Sequence, residues 1–167
     1  MQHIYHATPY DLSATGFYFS TYSEYAARSV AHRNEYGDPV EEYEIQLIDG
    51  DNYKLFDVLS VNQANLKAWF NDFESLAGED LIKAIYLADE LGILIDDVLS
   101  QLDDVALFEG SALDYAHNYI EETGLLSEIP ENLQFYFDTE AFARDMLLGG
   151  GITEMSINGT DYIVWGC

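Results

Sequence analysis

Cysteine is all but absent from this sequence: Cys167, the last residue, is the only one. An intrachain disulfide is thereby excluded, and a reducing compartment suits the chain. Basic residues are nearly as scarce, with six Lys and Arg against 31 Asp and Glu and a formal net charge of −25. Six scattered cations make no stripe that could follow a phosphate backbone, which excludes direct nucleic-acid binding. No run approaches the roughly 18 apolar residues of a membrane-spanning helix. The opening MQHIYHATPYDL has neither a positive n-region nor an apolar h-region. The expectation is a soluble, cytoplasmic protein without membrane contact.

What is present supports a packed fold. Hydrophobic residues make up 49% of the chain and aromatic ones 14%, so disorder does not explain the charge. A chain of this length buries about two thirds of its unfolded surface. Adaptation to high salt normally lowers apolar content, which has not happened here. Residues 1–33 are neutral, 34–71 carry −6, 72–110 carry −10 and 111–167 carry −9, with no tail of consecutive like charges. The carboxylates are interleaved with a core pattern and belong on folded surfaces. Self-repulsion of this size calls for an outside reason, and a basic partner surface, including one that ordinarily holds nucleic acid, supplies it. At about one charge per 1.7 Å of duplex axis, 25 negative charges correspond to roughly 40 Å of DNA.

Patterning implies an α+β chain of small domains. Residues 3–7 and 16–20 read as strands and 22–34 as a helix. Alternation over 41–49, the 49–52 turn and 53–59 suggest a hairpin, giving a small mixed sheet with one helix over 1–60. A helical middle domain follows over 61–109: 62–78 has Leu66, Trp69, Phe70 and Phe73 on one side, and 79–97 has Leu81, Ile82, Ile85 and Ala88. The segment 94–108 reads as a third helix, in which Asp96/Asp97 and Asp103/Asp104, seven apart, project from one side. A C-terminal α+β domain over 110–167 begins at Ser111 as N-cap, with a helix to Gly124 and a second after Asp138 or Thr139, where Glu140 can pair with Arg144. The three glycines 149–151 release the chain into a hairpin turned at Asn158-Gly159. No internal repeat is evident.

The stretch 119-YIEETGLLSEIPENLQFYFDTEAFARDMLLGG-150 resembles the C-terminal domain of the ArdA-type antirestriction proteins, with Pro130, Tyr136, Asp138, Ala143, Arg144 and Asp145 in order. Upstream, 41-EEYEIQLIDG-50 is similar to a family strand, though Leu47-Ile48-Asp49 departs from it, and 65–76 matches only in character. The resemblance implies an elongated homodimer of three small domains that imitates bent DNA. It further implies a DNA-binding host defence enzyme as partner, namely the type I restriction–modification complex whose DNA cleft it fills, and carriage on plasmids, conjugative transposons and phages. Neither catalysis nor a cofactor is implied. Carboxylates that compete with duplex need near-phosphate spacing on a rigid frame, which acidic helix faces give with little ordering on binding. The candidates are Glu79, Asp80, Asp89, Glu90, Asp96, Asp97, Asp103, Asp104, Asp114, Glu121, Glu122, Glu128 and Glu131.

Two alternatives remain at this level. The pattern 4-IYHATP-9, 16-GFYFST-21 and 24-EYAARSVA-31 resembles the first strands of small ADP-ribosyltransferase-like domains. Carried over, that would make His6 and Tyr18 NAD-holding residues and Glu154 the catalytic acid, on a split sheet of six or seven strands. A plain acidic adaptor that binds a basic protein without copying DNA is the other. His3 and His6 lack the Cys/His companions of a zinc site. Asp49-Gly50-Asp51-Asn52 lacks the spacing and final glutamate of a calcium loop, and the glycines at 149–151 lack the Lys-Ser/Thr of a phosphate loop.

Overall fold

Period-two alternation governs the first strands. The computed structural model describes residues 2–166, so Cys167 lies outside the described residues. Strands β1 (Ile4–Pro9), β2 (Phe17–Phe19) and β3 (Tyr43–Asp49) form a sheet in the order β2-β1-β3. Tyr43, Ile45 and Leu47 are buried, while Glu44, Gln46 and Ile48 between them are exposed. Helix α1 (Tyr22–Ala31), capped by Thr21, carries the chain from β2 to β3. Both pairings in this sheet, expected to be mixed, are antiparallel. The reason is that α1 links two like-directed strands that flank β1 and never meet.

Residues 53–59 are not a strand. They form helix α2 (Tyr53–Val58), in which Leu55, Phe56 and the following Leu59 are all buried. Adjacent residues of a strand face opposite ways, whereas i, i+1 and i+4 share a helix face. Asn52, the buried polar residue before it, donates its side-chain amide to the carbonyls of Glu74 and Leu76 at 3.0 and 2.9 Å, and this fixes the start of α2 against distant chain.

The middle is helical as expected, but it begins later. Asn62 donates its backbone N–H to the Asn65 side chain at 2.7 Å, so the first turn is the short α3 (Leu66–Ala68), which widens into a π-helical turn over Trp69–Phe73. Leu66, Trp69 and Phe73 are buried there. Helix α4 (Gly78–Asp89) buries Ile82, Ile85 and Ala88. Trp69 Nε1 donates to the Tyr5 hydroxyl at 2.8 Å, and that hydroxyl donates to Glu74 Oε1 at 3.0 Å. His3 Nδ1 lies 3.2 Å from the same oxygen. Burial pushes the Tyr5 hydroxyl pKa well above the ordinary tyrosine value, so it stays a neutral donor. Tyr5→Phe would strand the buried indole N–H and should cost about 1–3 kcal/mol by equilibrium denaturation. Trp69→Phe should then cost less in the Tyr5→Phe background than in the parent, because the N–H it removes has already lost its acceptor.

The segment 94–108 is not one helix. It divides into α5 (Ile95–Gln101), a 3₁₀ turn over Leu102–Asp104 and strand β4 (Val105–Glu109). A short apolar run such as Val105–Phe108 fits helix or strand equally by period. Pairing with β6 (Thr160–Gly166) decides it, with Val105 opposite Gly166 and Glu109 opposite Tyr162. The chain divides after Ser100 into two compact units.

In the second unit β4, β6 and β5 (Thr153–Ile157) lie in the order β4-β6-β5. Helix α6 (Ala112–Thr123) and helix α8 (Thr139–Leu148) bring Ala112, Tyr115, Ala116 and Ala143 into a core with Ile152 and Ile163, with Phe108, Phe142 and Trp165 packed against it. The short helix α7 (Glu131–Gln134) lies between them in sequence. Gly124 ends α6 in the left-handed region (φ 65), and Asn158 and Gly159 (φ 52 and 81) give the two positive angles of a primed hairpin turn. Arg144 pairs with Asp145, at 3.7 Å, and not with Glu140. The structure is thus α+β, with a small N-terminal sheet and helix, a helical middle, and C-terminal helices with a β-hairpin.

Candidate functional site

All thirteen acidic candidates are exposed. Within the first unit Glu79 and Asp80 occupy the first turn of α4, while Asp89 ends that helix and Glu90 caps it. The two pairs are ten residues apart, about 15 Å along the axis. Asp96 and Asp97 fill the first turn of α5. In the second unit Asp103 and Asp104 belong to the 3₁₀ turn before β4. The α-helix has ended by then, so the seven-residue spacing from Asp96 and Asp97 does not align the two pairs on one helix face. Asp114 lies in the first turn of α6 and Glu121 and Glu122 in its last. Glu128 ends a 3₁₀ turn and Glu131 starts α7.

Position along a helix separates these carboxylates by cause. The N-terminal end of a helix carries partial positive charge, so Glu79, Asp80, Asp96, Asp97, Asp114 and Glu131 are where local stability would place acids in any protein. The C-terminal end carries partial negative charge. Glu90, Glu121 and Glu122 stand there with no basic residue in the last turn of α4 or α6. Asp89 is compensated by Lys54, 3.1 Å away. Among the described residues the other three have no ion-pair partner. The helix dipole disfavours negative charge at that end, so local helix chemistry does not account for these three.

Asp114 has a second task. Its carboxylate accepts from the Ser111 backbone at 3.1 Å and from the Ser111 hydroxyl at 2.9 Å, and the hydroxyl accepts from the Asp114 N–H in return. The bond from the Ser111 backbone, with that from its hydroxyl, holds the Asp114 carboxyl below the usual carboxylate range. A group with a folded pKa below its unfolded one contributes stability above the unfolded value and loses it as pH falls through the folded value. Ser111→Ala removes the cap hydroxyl and should lower the melting temperature near neutral pH. The gap from the parent should narrow in acid, as thermal melts from pH 7 downward would read out.

The first unit also holds the two residues of the NAD-binding alternative. His6 and Tyr18 are direct cross-strand partners with ring centroids 4.6 Å apart, and His6 Nδ1 lies 2.8 Å from Thr8 Oγ1. Glu154 sits on β5 in the second unit's separate sheet. The sheet bearing His6 and Tyr18 has three strands, not the six or seven of a split transferase sheet. Strand acids outside the helical candidates add to the exposed set: Glu44, Asp49, Glu109, Glu154 and Asp161. Among the described residues no group of three or more His, Cys, Asp or Glu could hold a metal ion, and no helix is long and apolar enough to cross a membrane.

By unit, residues up to Ser100 carry five bases against 18 acids, a net −13, and the remainder carry one base against 13 acids, a net −12. Each surface is therefore strongly negative by itself. The family model described as "Antirestriction protein (ArdA)" matches residues 5–159, most of the chain. No curated protein matches it.

Proposed function

This chain belongs to the ArdA antirestriction family, whose members are not enzymes, and on that premise we propose that it inhibits type I restriction–modification enzymes as a DNA mimic seated in their DNA-binding cleft. The observation that carries the reading is the uncompensated placement of Glu90, Glu121 and Glu122 at helix C-termini, within a larger set of exposed carboxylates. A folded surface bearing these acids meets a basic cleft already ordered, so little conformational freedom is lost on binding. The cleft's cations are neutralised once, by duplex or by protein, and the two exclude each other. The carboxylates accept hydrogen bonds and ion pairs from Lys and Arg that otherwise hold phosphates. The reaction then stops for want of substrate, with no chemistry on the inhibitor's part.

The reading includes a homodimer acting in the cytoplasm. Phe135 and Tyr136, 90% and 76% exposed with rings in edge contact, give the second unit an apolar surface suited to such an interface. Phe137 and Trp165 do not contribute in the same way, since they pack on Phe142 and Tyr115.

The test is cleavage of unmodified DNA by a type I enzyme with increasing protein. Inhibition that is relieved by excess non-cleavable duplex supports the mimic. Inhibition indifferent to duplex supports an acidic adaptor bound elsewhere, and uninhibited cleavage removes the reading.

A further inference from the structure

The far edge of β3 is half closed, and by an unusual means. Tyr10 donates its backbone N–H to the carbonyl of Glu42 at 3.1 Å, and Thr8 and His6 lie opposite Glu44 and Gln46. Even-numbered residues of this stretch therefore turn their backbone polar groups toward β1, and the odd-numbered Glu41, Tyr43, Ile45 and Leu47 turn theirs away. At the first outward pair a single side chain stands in for a neighbouring strand. Gln63 Oε1 accepts from the Tyr43 N–H at 2.9 Å, and Gln63 Nε2 donates to the Glu41 carbonyl at 2.6 Å. Further along, among the described residues, the outward N–H and C=O of Ile45 and Leu47 have no hydrogen-bond partner. Among the described residues β3 pairs with β1 alone and is the last strand of its sheet.

An open edge with unpaired backbone groups is a template for an added strand. Charge selects what adds. The solvent face of β3 presents Glu44, with Glu42 just before it and Asp49 at its end, and β3 contains no Lys or Arg. Side chains directly across from one another on a sheet face interact, favourably for opposite charges and unfavourably for like ones. A second copy of this chain would bring the same acids and a further net −13 from the same unit, so self-pairing is disfavoured. We propose that the outer edge of β3 adds an extended, Lys- or Arg-bearing polypeptide segment of a partner protein, hydrogen-bonded to Ile45 and Leu47, with Gln63 closing the end of the groove at Tyr43. This goes beyond the DNA-mimic reading, because a nucleic-acid duplex has no backbone amides to add to a sheet, and it stands or falls separately.

The probe is an end-blocked peptide of alternating lysine and valine, added to the full chain. Its control has the same sequence and charge but N-methyl groups on alternate amides, so it cannot complete the ladder. Near saturation, amide exchange at Ile45 and Leu47 should slow by about tenfold or more, and the methylated peptide should bind about tenfold more weakly, the worth of one to two hydrogen bonds. Gln63→Ala uncovers Glu41 and Tyr43, so peptide should then protect Tyr43 as well and bind several-fold more tightly. Glu44→Gln should weaken binding several-fold. Equal binding of the two peptides, or unchanged exchange at Ile45 and Leu47, would reduce the contact to bulk charge and overturn the proposal. Protection that rises with protein concentration in the absence of peptide would assign the edge to a second copy and overturn it equally.

Discussion

Replacing Glu90, Glu121 and Glu122 together by glutamine should weaken inhibition of a type I restriction enzyme by about ten- to a hundredfold and raise the melting temperature of the protein by about 2–4 °C. The two effects have one origin. Each of these carboxylates stands at the negative end of a helix, α4 or α6, without a basic neighbour in the last turn. Neutralising them removes an unfavourable interaction with the helix dipole and three charges from a −25 chain. The same change removes three contacts from a basic cleft, and exposed ion pairs worth about 0.5–1 kcal/mol each multiply to the stated loss of affinity. A two-residue exchange at the opposite end of α4, Glu79→Gln with Asp80→Asn, should lower inhibition and stability together, because those acids favour the start of that helix. Titrated inhibition and thermal melts on the two variants separate the cases. If the C-terminal set proved destabilised, or inhibited as well as the parent, these acids would be ordinary solvated surface and the mimic would lose its main support.

Much of this was legible in the residues because local chemistry and global packing agree there. Ser111 and Gly124 bracket α6 as cap chemistry predicts, and Asn158-Gly159 turns the C-terminal hairpin. Exposure of the thirteen acids followed from their interleaving with a core stripe. The misread segments are those where period alone cannot choose. Residues 53–59 became α2 because Leu55 and Phe56 must both be buried, and 105–109 became β4 because a partner strand lies more than fifty residues away. Long-range pairs were also out of reach, among them Trp69 with Tyr5 and Lys54 with Asp89. Sequence spacing could therefore nominate the acidic set as a whole but could not say which members are spent at home. Asp114 serves its own capping box and Asp89 its lysine, whereas Glu90, Glu121 and Glu122 stand at helix C-termini with no basic residue in the last turn.

Raising sodium chloride from about 50 to about 200 mM should move two properties of this protein in opposite directions, its stability up and its inhibitory affinity down by about tenfold or more. The screening length is about 10 Å near 0.1 M and shortens with added salt. Repulsion among the 18 acids of the first unit and the 13 of the second acts over such distances and fades first, whereas the buried contacts of Trp69, Phe73, Ile85 and Ile163 are untouched. Melting should therefore shift upward. Association with a basic cleft draws on the same long-range field from the other side, and a chain that neutralises several cleft cations should show an inhibition constant that climbs steeply with salt. Duplex DNA bound to the same cleft supplies the internal standard. A mimic's salt slope should have the sign of the duplex slope, because both are drawn to the same cations, but be shallower, because most of the duplex slope is release of the cations condensed on its own phosphates. An adaptor held by apolar contact would show a nearly flat line beside a steep one for DNA, and that pair of slopes would end the DNA-mimic account even if inhibition itself were strong.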